Sequence, residues 1–448
     1  MLDYNLLVAV ISGIFVLLTL ILRFKIQAFI SLLIASITVG VVSGMPPKDI
    51  IETMQQGMGD TLGFVALVVG LGAMFGAILE YSGGAEALAK YLLDKFGEKR
   101  ASWALMLAGF FVAIPVFFDV AFIILIPIIY SLQRKTKKSL LLYAIPLLAG
   151  LAITHSFIPP TPGPVAVADI LKADLGWVIL FGFITGIPTA IISGPLFAKY
   201  IAKRIHIDAP LLEIESVENR KYPAVGLILA IIGIPILLIV SNTVLNSPLI
   251  PEQFVSKNFK EWIAMIGNPF VALIIANLIA WYLLGIKRNV TKEKMLKITT
   301  NAMAPAGIII LLTGAGGVFK QTLINTGTGN MLANYFADTG ISMLFFGFFI
   351  AAIVRILQGS ATVAMITAAG ITAPLLIAST ITEIDKALLV IAIASGASIM
   401  SHVNDSGFWL VGKYLNLTEK ETFKSWTVMT TILALVGFFM VNIISIFV

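Results

Sequence analysis

Long uncharged, apolar runs recur along the chain, separated by short clusters of charged and turn-forming residues. A run of about 20 such residues is long enough to cross about 30 Å of hydrocarbon as a helix. The pattern predicts crossing helices at 4–22, 26–45, 61–81, 140–157, 176–199, 222–243, 262–285, 303–325, 386–403 and 425–447. Two regions break the rhythm. Residues 101–132 hold an 18-residue uncharged run ending at Phe118, then Asp119, then only 14 residues before Arg134. Residues 339–380 show a similar pattern, with Arg355 and QGSAT near the middle. Each is read as a re-entrant hairpin that enters and leaves on one side, because neither has room for two comfortable crossings. Irregular backbone at membrane depth is tolerated only where protein or a water-filled cavity supplies hydrogen-bond partners.

Composition agrees with this all-α polytopic membrane architecture. The chain is 58% hydrophobic and 12% charged, about half the charged fraction of a soluble domain. The opening MLDYNLLVAV has an acidic residue where a leader would be basic, so the first run is read as a retained helix. Cysteine is absent, which excludes disulfides and thiol chemistry. The net charge of +6 is assigned to basic cytoplasmic loops on membrane lipid rather than to a nucleic acid. With the N-terminus outside and both hairpins returning to their side of entry, 23 of the 30 Lys and Arg become cytoplasmic. Lys48, Lys172, Lys257, Lys260 and Lys386 fall outside, and Lys320 and Arg355 fall within membrane segments. That asymmetry is what the positive-inside rule requires, and it places both termini on the outer side.

The two halves resemble each other. At an offset of 244, Gly70, Gly72, Phe75 and Leu79 meet Gly314, Gly316, Phe319 and Leu323; at 246, AGLAITHS lies over SGASIMSH. The expected organisation is an N-terminal repeat at 1–205, with hairpin 101–132 and a broken helix at 140–172. A cytoplasmic linker at 206–221 leads to a C-terminal repeat at 222–448, with hairpin 339–380 and a broken helix at 386–416. Five crossings per half is an odd number, so the second half is inverted relative to the first. Opposed repeats with discontinuous helices are the architecture of secondary transporters, with the site near the midplane. Segments 85–97 and 329–340 read as interfacial amphipathic arms.

Polar chemistry enters the membrane at four places: THSFIPPTPGP (154–164), SHVNDSG (401–407), PVFFDVA (115–121) and LQGSATV (357–363). Proline in a helix removes a hydrogen bond and clashes with the preceding turn, so these segments break their helices or merely kink them. A break exposes the positive N-terminal end of the half-helix that follows, and four such ends would bind an anion. Asp119 is either a helix N-cap or a proton carrier, and Asp405 has the same two readings. Arg355 either clamps a substrate carboxylate or pairs with an acid of the protein. Ser360 and Thr362 are cap formers or hydroxyl partners of a substrate, beside Gln358 and Gly359. Thr154, His155, Thr161 and Gly163 in the first break, and His402, Asn404 and Ser406 in the second, complete the candidate binding set. No third ligand accompanies the histidines, so no metal and no cofactor is expected. Glu80 and Lys320 read as interfacial. Neither HExxH nor GxSxG occurs, which argues against an intramembrane enzyme.

The segments FFDVAFIILIP (117–127), THSFIPPTPGP (154–164), RILQGSATVAMIT (355–367) and SHVNDSGFWLV (401–411) resemble the gluconate:proton symporter family of the ion transporter superfamily. The resemblance runs over nearly the whole chain. It implies uptake of gluconate or a similar small anionic sugar acid with proton entry, by a bacterial inner-membrane carrier compatible with a homodimer. Members associated with gluconate often carry His where this chain has Thr161, and Glu where it has Asp119. The exact sugar acid is therefore open, and relatives of this type handle ketogluconate, idonate, fructuronate and D-serine. A passive anion channel is the remaining alternative.

Overall fold

The computed structural model describes residues 4–210, 222–247, 250, 255–328, 331, 342–376 and 381–448. Every regular element among the described residues is helical. In the first half these are α1 (Tyr4–Leu22), α2 (Ala28–Val42), α3 (Pro47–Tyr81), α4 (Gly84–Phe96), α5 (Ala101–Val112), α6 (Phe118–Thr136), α7 (Leu141–Phe157), α8 (Pro162–Leu171) and α9 (Leu175–Ile191). The second half begins with α10 (Val225–Asn246), α11 (Lys257–Ile266), α12 (Pro269–Ala280), α13 (Lys292–Asn301) and α14 (Met303–Asn325). It ends with α15 (Met343–Gln358), α16 (Ala361–Thr372), α17 (Glu383–Gly396), α18 (Ser406–Tyr414) and α19 (Val428–Ile444).

Eight helices among the described residues are long and apolar enough to cross a membrane. They occupy eight of the ten expected crossings. The other two fall short: α2 has 15 residues and α17 has 14, so neither reaches much beyond about 22 Å. The expected crossing at 386–403 ends at Gly396, and the chain resumes helix only at Ser406. In contrast, α3 starts at Pro47 rather than at residue 61. Its polar first turns contain good helix formers, and Ile50, Thr53 and Gly57 are buried against neighbours. The amphipathic arm at 85–97 is α4; that at 329–340 lies outside the described residues apart from Met331, as do residues 211–221 of the linker.

The lipid-facing and protein-facing helices separate by burial. α1, α10 and α12 present bare apolar side chains, with Phe15 68%, Leu237 66% and Leu278 62% exposed. In lipid such side chains need no covering protein. α7, α8, α16 and α17 are buried almost throughout, as expected of helices inside a bundle.

Glycines set the closest approaches. A Cβ at Gly150 on α7 would strike the backbone of Met106 and Phe110 on α5, and one at Gly396 on α17 would strike the Phe348 carbonyl on α15. Gly150 and Gly396 are the residues that the internal repeat pairs, so the two halves use the same helix crossing. α3 and α14 also cross closely, where a Cβ on Gly57 would lie 2.7 Å from the Gly317 carbonyl.

Candidate functional site

Each of the two regions read as hairpins is a pair of helices joined by a short non-helical tip. α5 and α6 are joined through residues 113–117, and α15 and α16 through Gly359 and Ser360. The α6 cap is Phe117, with no side-chain hydrogen bond, and Asp119 occupies the first turn. Asp119 is thus not an N-cap. Its carboxyl accepts no hydrogen bond among the described residues and is exposed to a cavity.

The second tip is bound to the 401–407 break. Gly359 ends α15 at φ 93°, a left-handed conformation that a side chain rarely adopts. The interrupted helix leaves carbonyls without intrahelical partners. Asn404 Nδ2 donates to the Ile356 carbonyl at 3.0 Å and to the Leu357 carbonyl at 3.2 Å, and His402 Nε2 lies 2.9 Å from the Ile356 carbonyl. Ser360 caps α16, its hydroxyl accepting from the Val363 N–H at 3.3 Å while its own N–H donates to Gln358 Oε1 at 2.8 Å.

Arg355, only 4% exposed, forms an ion pair with Asp405 through Nη2 and Oδ2. Of its two sequence readings, pairing with an acid is the one the geometry displays. Asp405 is further held by the Ser401 hydroxyl, which donates to the same oxygen, and by the Gly407 N–H at 3.1 Å from Oδ1. Trp426 Nε1 in turn donates to Ser401 Oγ at 2.6 Å. With three donors, Asp405 is an N-cap and counter-ion. Arg355 keeps two buried N–H groups, at Nε and Nη1, with no partner.

These groups meet in a cavity of about 590 Å³, within the usual range for small-molecule sites. Three helix N-termini open onto it: α6 at Phe118 and Asp119, α16 at Ala361 and Thr362, and α18 at Ser406 and Gly407. Asp119, His155, Arg355, Gln358, Gly359, Ser360, Thr362, Asn404, Asp405 and Ser406 line it. His155 Nδ1 is buried there without a partner. A second cavity of about 510 Å³ shares Gln358 and Asn404 with the first and reaches Lys25 and Gln27 between α1 and α2.

Four predicted residues lie elsewhere. The Thr154 hydroxyl donates to the Phe110 carbonyl at 2.8 Å, tying α7 to α5. The Thr161 hydroxyl donates back to Ile158 at 2.6 Å, and a Cβ at Gly163 would press on Met365. His402 is spent on the end of α15. The fourth half-helix, α8, therefore does not aim its N-terminus into the cavity. Pro160, Thr161 and Pro162 instead pack beside Pro115 and Phe117 of the first tip and Gly72 of α3. Proline has no N–H to offer, and here the ring-rich break works as packing. Among residues the sequence did not single out, Phe118, Ser398, Trp426 and Thr430 also line the cavity. Ser398 lies in the repeat segment SGASIMSH; Trp426 carries no sequence signal, since its role depends on a contact 25 residues away.

No group of three or more metal-ligating side chains occurs among the described residues. Residues 4–447 match the family model described as GntP family permease. The chain belongs to the GntP family of permeases. The permease is 40% identical to the gluconate permease of Pseudomonas aeruginosa over 447 residues, covering 99% of this chain and 98% of that one. It is 41% identical to the low-affinity gluconate transporter of Escherichia coli K12, covering 97% and 96%. It is 37% identical to the Gnt-II system L-idonate transporter of the same organism, covering 96% and 97%. The YdaH transporter of Alcanivorax borkumensis, solved by crystallography and described as having an unusual topology, superposes with a TM-score of 0.67. That match covers 94% of the permease and 98% of YdaH at 14% identity, so the likeness is one of fold. The permease is a multi-pass membrane transporter of the gluconate family and not an enzyme.

Proposed function

We propose that the permease imports gluconate or a related sugar acid across the bacterial inner membrane by proton symport. One observation carries the reading: a single cavity is lined by three helix N-termini, by Arg355, whose Nε and Nη1 are buried without a partner, and by the exposed Asp119. The substrate carboxylate accepts hydrogen bonds from Arg355 Nε–H and Nη1–H, helped by the helix ends, while Asp405 keeps Nη2. Substrate hydroxyls pair with His155 Nδ1, Thr362 and Ser406.

The charge balance supplies the coupling. Arg355 and Asp405 cancel, so an ionised Asp119 would repel an arriving carboxylate. Inside the protein, where the effective dielectric is well below that of water, that repulsion weakens binding. A proton on Asp119 removes it, so proton and substrate each strengthen the other's binding. Asp405, with three donors, is ill placed to carry the proton, and no cofactor takes part.

Two of the relatives are named for gluconate and a third for L-idonate, which supports the substrate class. The neighbouring cavity that reaches Lys25 fits a cytoplasmic exit, since the positive-inside rule assigns Lys25 to that side.

Binding tests the site directly. Gluconate should raise the melting temperature of the purified permease more at acidic than at alkaline pH. Asp119→Asn should bind equally at both, and Arg355→Met should lose the effect. Stabilisation by D-serine alone among a panel of sugar acids and amino acids, or full binding by Arg355→Met, would overturn the assignment.

A further inference from the structure

A second group of buried charges lies outside the cavity. Asp169 in the last turn of α8 and Lys320 in α14 are each 8% exposed. The burial of Lys320 departs from its interfacial reading, because α8 packs against α14 and covers it there. Lys172 Nζ donates to Asp169 Oδ1 at 3.0 Å, while Asp169 Oδ2 is buried with no partner. The Lys320 ammonium donates to the Ile170 carbonyl at 3.4 Å, at the negative end of α8. Lys172, Lys320 and Asp60 on α3 are within electrostatic reach of Asp169, and Lys172, Asp169 and Asp60 are within reach of Lys320.

Lys320 lies about 17 Å along α14 from Ile309, which lines the substrate cavity, at 1.5 Å per residue. Beyond it, Asn325 borders a separate open depression of about 460 Å³ with Asp49 and Thr53. Asp169 and Lys320 therefore sit between the cavity and that depression, where α8 meets α3 and α14, with the exposed Lys172 and Asp60 at the edge of the pair. Burying ions costs several kcal/mol each, and apolar residues would hold a static seam as well. Charges kept inside a membrane bundle are a sign of function.

We propose that Asp169, Lys172 and Lys320, with Asp60, form a proton-operated latch. With Asp169 ionised, the cluster ties α8 to the α3 and α14 pair and closes the cavity toward the depression. A proton from that aqueous side bonds to the free Oδ2, cancels the charge and releases the seam, so that α8 can move. Asp169 is a positioning residue that touches no substrate. The latch rests on the proton-symport reading for its ion.

Exchange of labelled for unlabelled gluconate in proteoliposomes, at equal pH on both sides, tests it. Wild-type exchange should slow about tenfold per pH unit once the latch stays ionised, as for a single titrating group. With gluconate saturating on both sides, so that protonation of Asp119 no longer limits binding, Asp169→Asn and Lys320→Gln should exchange at a rate that no longer varies with pH, and should lose accumulation driven by a pH gradient. Variants that keep the wild-type profile, or are slowed equally at every pH, overturn the latch. A wild-type protein that accumulates no gluconate under a pH gradient strikes the symport reading instead. If Asp169→Asn does not reach the membrane, the unmodified chain decides through dicyclohexylcarbodiimide, which adds to protonated carboxyls in apolar surroundings. Peptide mass spectrometry should find Asp169 labelled in acid and spared in alkali; labelling that is the same at both pH values overturns the proposal.

Discussion

Arg355 shows how one buried cation can be committed and available at once. Nη2 belongs to Asp405, while Nε and Nη1 are buried without a partner in a residue that lines the cavity. Removing one partner of a buried pair strands the other and costs about 3–5 kcal/mol. Arg355→Met and Asp405→Asn should each lower the melting temperature of the detergent-solubilised protein. The double variant should recover much of that loss and still not transport, because the clamp is gone. Additive destabilisation in the double variant would show that the pair is not coupled. The sequence marked both residues as charges at membrane depth, yet their pairing spans 50 positions and leaves no periodic trace. Lys320 escaped for a related reason: its place near the end of an apolar run looks interfacial, and only the packing of α8 reveals that it is inside.

At the level of the elements, backbone geometry decides which substitutions are tolerated. Gly359 combines a positive φ with a neighbour, Asn404, whose carbonyl already fills the space of a Cβ. Gly359→Ala should cost at least about 1–2 kcal/mol from the left-handed backbone alone and should weaken substrate binding by shifting the α16 N-terminus. A thermal melt and a binding isotherm on the same preparation check both. Gly150→Ala and Gly396→Ala should each spread a repeat-related crossing and reduce the folded yield, whereas Gly63→Ala, which meets open space, should not. The breaks themselves were readable, because proline, glycine and short polar residues cannot continue an apolar helix. What those breaks face was not readable. THSFIPPTPGP reads as an anion cradle, but its ring-filled turn packs on the first tip, and the cavity takes His155 and Ser156 from the preceding helix instead. The shortness of α17 was also hidden, since Ala397, Ile399 and Met400 continue the apolar pattern past the turn that ends the helix at Gly396.

For the whole molecule, the charge pattern and the cavity point the same way. The second cavity shares Gln358 and Asn404 with the first and reaches Lys25 and Gln27, and the positive-inside rule assigns Lys25 to the cytoplasmic face. Because the protein lacks cysteine, single cysteines can report sidedness without a background. Lys25→Cys should react with a membrane-impermeant maleimide only in inverted vesicles, and Lys48→Cys only in right-side-out cells; the opposite pattern would reverse the orientation. The central claim is that this architecture moves a sugar acid together with a proton. Its most direct test is uptake of labelled gluconate into proteoliposomes under an imposed inward proton gradient. The account predicts accumulation above the external concentration that collapses when a protonophore is added. Uptake that is absent, or that proceeds equally without the gradient, would contradict it.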